Sequence, residues 1–175
     1  MPQEAASHDV AGTTATEVRA AFTGRPEGRS TRPVVRDSVL VAVLLALVDR
    51  PDGLHVVLGD PAPGDPGSVL PRGTLRPRET VEGAALRAAR TAAGLEPTSV
   101  EIVGSLDVIA TPTGFLIRPF VGLVDGPGRS RGLRTVPLAE LAVEDRRNGE
   151  DGSAAAIAAR LVEVLRAARP QPPTG

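Results

Sequence analysis

The sequence predicts a domain that combines helices with strands, either α/β or α+β in class. Residues 81–93 form an Ala-rich stretch between Thr80, which can accept from the first free amides of a helix, and Gly94, which can adopt the left-handed conformation that ends one. Residues 37–48 are almost continuously apolar, as expected for a strand that is covered on both faces. These segments predict a helix packed against a buried sheet.

The domain organisation follows from length and composition. A chain of 175 residues with 41% hydrophobic content can form one domain with a substantial core, which we expect at residues 33–169. Residues 1–32 are polar and rich in Gly and Thr, so they are expected to form a flexible arm with one short helix near residues 16–22. Residues 170–175, PQPPTG, are expected to be disordered.

Further strands and helices follow from apolar patterning. A turn at residues 49–53 joins the first strand to a partner strand at 54–58, which predicts a hairpin. The remaining expected segments are a strand at 68–71, strands at 98–109 and 115–124, a strand-to-helix segment at 136–141, a charged linker at 145–151 and a helix at 153–168. The last helix carries an apolar stripe of Ile157, Leu161, Val164 and Leu165, which is expected to face the core.

Composition excludes several classes of protein. The absence of cysteine excludes disulfides, thiolate metal sites and a cysteine nucleophile. The N-terminal sequence MPQEAASHDV has neither the basic start nor the apolar core of a secretory signal. The longest apolar run, residues 39–48, is too short to span a bilayer. We therefore expect a cytoplasmic protein that does not act at a membrane.

A role in nucleic-acid binding is also not expected. The net charge is −1, with twenty arginines and no lysine, so the chain has no long-range field that would attract a polyanion. It has no tyrosine or tryptophan and only three phenylalanines on which bases could stack.

A spaced motif surrounds the helix at residues 81–93. Five residues separate Gly73 from Glu79, seven separate Glu79 from Arg87, and six separate Arg87 from Gly94, which is followed by the apolar Leu95. This skeleton resembles the Nudix box, which runs Gly, five residues, Glu, seven residues, Arg-Glu-apolar-any-Glu-Glu-any-Gly-apolar. The resemblance implies that Glu79 and Arg87 brace the loop against the helix.

The sequence departs from the box at the positions that bind metal in the family. Three glutamates of the box correspond to Ala88, Thr91 and Ala92. At about 100° per residue these positions share one third of the helix circumference, so three carboxylates there would converge on one hard cation. Magnesium requires charged oxygen ligands to bind a pyrophosphate and activate water, and alanine supplies none. The catalytic set is therefore expected to be lost.

A second match lies downstream of the box. Residues 104–124 contain two apolar, β-branched runs joined by a Thr-Pro-Thr-Gly turn, which predicts a hairpin. The TPTGF turn at residues 111–115 looks like the coenzyme A pyrophosphatase branch of the Nudix family, in which this hairpin borders the substrate. Arg72 directly precedes the box, where the family usually has another glycine. The candidate ligand-binding residues are therefore Arg72, Thr113, Phe115 and Arg118.

The resemblance covers residues 33–141 and implies an α/β fold with a mixed, mainly antiparallel sheet sandwiched between the helix after Gly73 and the C-terminal helix. Two functions remain open. The first is a catalytically impaired protein that needs no cofactor and binds a nucleotide-type small molecule or a protein partner. The alternative is an active diphosphatase acting on coenzyme A or a nucleoside diphosphate derivative, with Mg²⁺ or Mn²⁺ held by carboxylates that the spacing does not identify.

Overall fold

A computed structural model describes residues 10, 12–26, 37–60, 69–125, 132–148 and 153–169. These residues form four α-helices, seven strands and a 3₁₀ turn at Pro97–Ser99. The elements in chain order are α1 (Ala15–Phe22), β1 (Val39–Arg50), β2 (Gly53–Val57), β3 (Arg72–Thr74), α2 (Val81–Ala93), β4 (Val100–Ser105), β5 (Ile109–Ala110), β6 (Phe115–Val124), β7 (Thr135–Pro137), α3 (Leu138–Asn148) and α4 (Ala154–Ala168).

The strands form one mixed sheet with β1 and β6 at its centre. The path across the sheet is β4-β6-β1-β2-β7, while β3 pairs with the first half of β1 and β5 pairs with β6. Among the described strands, β1 and β6 are the one parallel pair and every other pairing is antiparallel. The predicted mixed, mainly antiparallel sheet is thereby confirmed.

Strand β1 is buried on both faces, as its continuous apolar sequence predicts. Successive side chains of a strand point to opposite faces, so the even-numbered ones, such as Ala42 and Leu44, pack under α2. The odd-numbered ones, such as Val43 and Leu45, pack under α1, α3 and α4. The sheet is therefore sandwiched between α2 on one face and α4, with α1 and α3, on the other.

Helix α2 has the predicted bounds and the predicted caps. The Oγ1 of Thr80 accepts a hydrogen bond from the Gly83 amide at 3.0 Å, which satisfies one free donor of the first turn. Gly94 ends the helix with a φ of 67°, in the left-handed region where a glycine carries no Cβ penalty. The capped helix presents Ala84, Ala85 and Ala89 to the sheet, and these small side chains allow a close approach.

The bounds of helix α4 and strand β6 agree with those predicted from the sequence, to within one residue for α4. Ser153 caps α4 by accepting from the Ala156 amide at 3.1 Å. Ile157, Leu161 and Leu165 of the predicted stripe are buried, and Val164 packs partly buried beside them.

The N-terminal segment differs from the expectation of a loosely packed arm. Val18 and Phe22 of α1 are buried in the core formed with α4, at 0% and 6% exposure. The Phe22 ring lies directly over Gly104 of β4, where any Cβ would overlap it. Helix α1 is thus part of the domain, because its apolar face completes the core above the sheet. Residues 1–9, 27–32 and 170–175 lie outside the described residues.

Three other boundaries also differ from the prediction. The strand expected at 68–71 is instead β3, and Val69 forms only an isolated bridge to Gly59. The strand expected at 98–109 ends at Ser105, after a register shift between Ile102 and Gly104. The expected charged linker at 145–151 begins inside α3, which continues to Asn148. None of the described helices is long and apolar enough to cross a lipid bilayer.

Candidate functional site

An ion pair joins the loop before α2 to the helix itself. The Arg87 guanidinium donates from Nε to Glu79 Oε1 at 2.7 Å and from Nη2 to Glu79 Oε2 at 2.9 Å. Nη2 also donates to the Thr74 carbonyl at 2.8 Å, and the Arg76 amide donates to Glu79 Oε2 at 2.9 Å. Two parallel bonds of this kind fix orientation as well as distance. The brace expected from the spacing of Glu79 and Arg87 is present in the structure.

The brace shifts the ionisation of both partners. Hydrogen bonds from the Arg87 side chain, and then from the Arg76 amide, lower the pKa of Glu79 from 4.5 to about 2. The hydrogen bonds that Arg87 donates to the Glu79 carboxylate in turn raise the pKa of Arg87. The side chains of Glu79 and Arg87 are only 17% and 27% exposed, so the pair is partly shielded from solvent. Both groups remain charged at neutral pH.

The brace holds β3 against α2, and Gly73 is the point of closest approach. A Cβ added at Gly73 would lie 3.4 Å from the Ala88 Cβ and 3.5 Å from Arg87 Nη1. These are ordinary van der Waals distances, so β3 packs beside the helix at Ala88 and the structure would accommodate a Cβ at this position. Ala88 is only 4% exposed as a result.

A second close contact occurs at the C-terminal end of α2. A Cβ added at Gly59 would lie 3.0 Å from the Ala92 Cβ. The Asp60 amide donates to the Ala92 carbonyl at 3.0 Å, so the chain after β2 is hydrogen-bonded to the end of the helix. Ala88 and Ala92 thus both pack against glycine backbone. Thr91, between them, is exposed, and its hydroxyl donates to the Arg87 carbonyl at 3.1 Å within the same helix.

A cavity of about 570 Å³ lies on the other face of the sheet from α2. Its floor is a row across three strands, in which Thr74 of β3 and Ile117 of β6 flank Val41 of β1. The complete lining is Val41, Arg72, Gly73, Thr74, Thr111, Thr113, Phe115, Ile117 and Ser153. The volume lies within the range of pockets that hold small organic ligands.

The cavity gathers three of the four residues that the sequence suggested for ligand binding. Arg72, Thr113 and Phe115 all line it. Arg118 does not, because it follows Ile117 on β6 and therefore points to the opposite face. Its register partner on β1 is Ala42, which packs on the α2 side.

Sequence reasoning missed the other polar residues of the cavity. Thr74 lies two residues after Arg72 on β3, so the alternation of side chains along a strand places both on the same face and could have suggested Thr74. Thr111 lies two residues before the candidate Thr113 in the same turn. Ser153 was read only as the start of a helix, since nothing in the sequence brings the α4 N-terminus to the mouth of this cavity.

Comparison with known proteins agrees with this geometry. The sequence profile of the NUDIX domain family matches residues 39–171, from the first residue of β1 to just beyond α4. The chain belongs to the Nudix family. None of the curated proteins matches the sequence.

Solved Nudix structures share the fold. The chain is similar to a Nudix hydrolase from M. smegmatis, RenU, with 26% identity, a TM-score of 0.55 and coverage of 73% of this chain and 86% of that one. An Ap4A hydrolase from C. elegans gives 17% identity, a TM-score of 0.52 and coverage of 74% and 94%. A Nudix hydrolase from Nitrosomonas europaea gives 17% identity, a TM-score of 0.50 and coverage of 75% and 90%. The predicted fold is therefore confirmed.

The residues of α2 do not fit the divalent cation that Nudix chemistry uses. Of the three side chains at the corresponding positions, Ala88 and Ala92 carry no oxygen, and the Thr91 hydroxyl is bonded to its own helix. A hard cation needs several oxygen ligands, with carboxylates among them. Within the part of the chain that the structure describes, no three His, Cys, Asp or Glu side chains gather closely enough to hold a metal ion.

The brace predicts a particular dependence of stability on pH. Because the pKa of Glu79 is lowered from 4.5 to about 2 on folding, its contribution to stability is fully present above pH 4.5 and is lost as the pH falls towards 2. We expect Glu79→Gln to be less stable than the wild type at neutral pH, with a difference that narrows steadily below pH 4.5. Urea unfolding across this range measures it.

Single glutamates introduced at the metal-binding positions of α2 are expected to change the free energy of unfolding by unequal amounts. Ala88→Glu puts a charge at a 4% exposed position beside Gly73, so it should lower the free energy of unfolding by more than about 2 kcal/mol. Thr91→Glu, one turn along and exposed, should change it by less than about 0.5 kcal/mol. Chemical denaturation with and without millimolar magnesium tests this. Equal effects, or recovery of Ala88→Glu by magnesium, would contradict the description of this face as a packing surface.

Proposed function

We propose that this Nudix protein does not hydrolyse diphosphates and instead binds a nucleotide-type ligand in the cavity beside Arg72. The observation that carries the proposal is the packing of Ala88 against Gly73 and of Ala92 against Gly59. Where the family box has metal-binding carboxylates, this chain has two methyl groups packed beside glycines, at Ala88 and Ala92, and the exposed hydroxyl of Thr91. None of these three side chains carries the charged oxygen that a metal site needs.

The chemistry of diphosphate hydrolysis explains why the absence of these carboxylates argues against hydrolytic activity. A divalent cation neutralises the charge that develops on the phosphates and lowers the pKa of the attacking water. Without it, the described residues offer no equivalent group on α2, since Arg87 is already bound to Glu79 and Thr74. The brace therefore has a structural role in this proposal and takes no part in catalysis.

Ligand binding is supported by the cavity, which does not depend on the altered helix face. Its lining combines the guanidinium of Arg72, several hydroxyls and the ring of Phe115. A cation and an aromatic surface are the groups that bind an anion and a flat base, respectively. The TPTGF resemblance and the Ap4A hydrolase activity of a structural relative both motivate nucleotides, including coenzyme A, as the first compounds to test.

An active diphosphatase is the alternative, and the intact brace together with the open cavity favours it. It would require Mg²⁺ or Mn²⁺ held by carboxylates other than those of the family box. A protein partner is the other target that a non-hydrolytic scaffold could bind, and we propose neither a nucleic-acid nor a membrane partner.

A single panel separates these functions. Nucleoside mono- and diphosphates, coenzyme A and dinucleoside polyphosphates are incubated with the protein and with magnesium or manganese, and both phosphate-bond cleavage and the melting temperature are recorded. We expect no cleavage and a saturable rise in melting temperature with at least one compound, since a ligand that binds the native state stabilises it. Turnover on the order of 1 per second would establish the diphosphatase. A panel with neither cleavage nor stabilisation would exclude nucleotide binding.

A further inference from the structure

Arg72 supplies the positive charge of the described cavity lining. Arg72 is the single ionisable residue among the lining residues that the structure describes. It is exposed, and it forms no ion pair with any described carboxylate. An exposed arginine at the edge of a concave site can bind an anionic ligand group through two parallel hydrogen bonds.

Three of the four hydroxyl side chains that line the cavity, those of Thr111, Thr113 and Ser153, have partners within the described structure. The Oγ1 of Thr111 accepts from the Phe115 amide at 3.1 Å and lies 3.0 Å from the Oγ1 of Thr113. The Oγ of Ser153 accepts from the Ala156 amide at 3.1 Å. These groups shape the turn and the helix end, and they are neutral. Arg72 is therefore the main source of attraction for an anion in this site.

The opposite end of the cavity is apolar and open. Phe115 is 41% exposed, and its register partner Val39 is 44% exposed on the same face. This chain has three phenylalanines and no tyrosine or tryptophan, so an aromatic ring left in solvent at a cavity mouth is a notable use of a scarce residue type. Val41 and Ile117 continue the apolar surface inwards. Such a surface fits a flat ring.

The two ends are separated by the geometry of the sheet. Arg72 pairs with Val43 on β1, whereas Phe115 pairs with Val39 on β1 from the other side. Four residues along a strand and two strand spacings put their Cα atoms roughly 16 Å apart. Both side chains line the cavity between them. A small molecule that contacts both must therefore have an anionic group at one end and an apolar body at the other.

We infer that the ligand carries one anionic group on an aromatic body, as a nucleoside monophosphate does, with the anion bound by Arg72 and the ring lying against Phe115. This inference rests on the proposed function and narrows its ligand class. A diphosphate brings a second phosphate group, whereas the described lining supplies one guanidinium and no second charged side chain. The second phosphate therefore has no charged partner and stays in solvent, where it adds little to affinity.

Calorimetric titration without metal, in the presence of EDTA, tests the inference with compounds that share one base. The monophosphate should bind about 10-fold or more tightly than the nucleoside, because a charge-assisted hydrogen-bond pair is gained. The diphosphate should bind within about 3-fold of the monophosphate. Arg72→Gln should reduce the affinity for the monophosphate to that for the nucleoside. Phe115→Leu should weaken nucleoside and monophosphate by the same factor.

Arg118→Gln is the matched control, because Arg118 lies on the same sheet but on the opposite face from the cavity. It should leave all affinities within about 2-fold of the wild type, and unchanged melting temperatures establish that each variant is folded. A diphosphate preferred by about 10-fold or more, or equal losses in Arg72→Gln and Arg118→Gln, would overturn the inference and leave nucleotide binding in place. The absence of binding by every compound would overturn the inference and the proposed function together.

Discussion

The bidentate pair between Glu79 and Arg87 is the interaction on which the rest of the site depends. It ties the loop before α2 to the middle of that helix and, through the Thr74 carbonyl, holds β3 in place. It adds to the antiparallel pairing of β3 with β1, which places Gly73 beside Ala88 and puts Arg72 and Thr74 on the cavity face. A retained motif can therefore mark retained architecture, without implying the chemistry that usually accompanies it.

Strand β3 lies between the cavity on one face of the sheet and, on the other face, the part of α2 that corresponds to the metal-binding positions of the family box. Its central residue, Gly73, faces α2, and the residues on either side, Arg72 and Thr74, face the cavity. Because successive side chains of a strand alternate between faces, the helix side could lose its carboxylates without closing the cavity. The cavity and the altered helix face are therefore structurally separable in this domain, and the proposed function uses the cavity alone.

The sequence was informative where the determinants are local. The caps Thr80 and Gly94 define α2, and the resemblance to the Nudix box implied the contact between Glu79 and Arg87. Features that depend on distant partners were not predictable in the same way. Phe22 is buried because β4 offers Gly104 beneath it, and a polar, Gly-rich neighbourhood concealed that role. Arg118 was a candidate because the TPTGF hairpin borders the substrate in the family, but it lies three residues beyond Phe115, and an odd separation along a strand puts two side chains on opposite faces.

The central claim is that α2 has become a packing surface that holds no catalytic cation. Titration of manganese into the wild-type protein, followed by the electron paramagnetic resonance signal of the free ion, tests it most directly. The account predicts no saturable binding up to millimolar manganese, because the face formed by Ala88, Thr91 and Ala92 offers no carboxylate. One manganese ion bound per chain with micromolar affinity would contradict the account, since a working metal site would then exist.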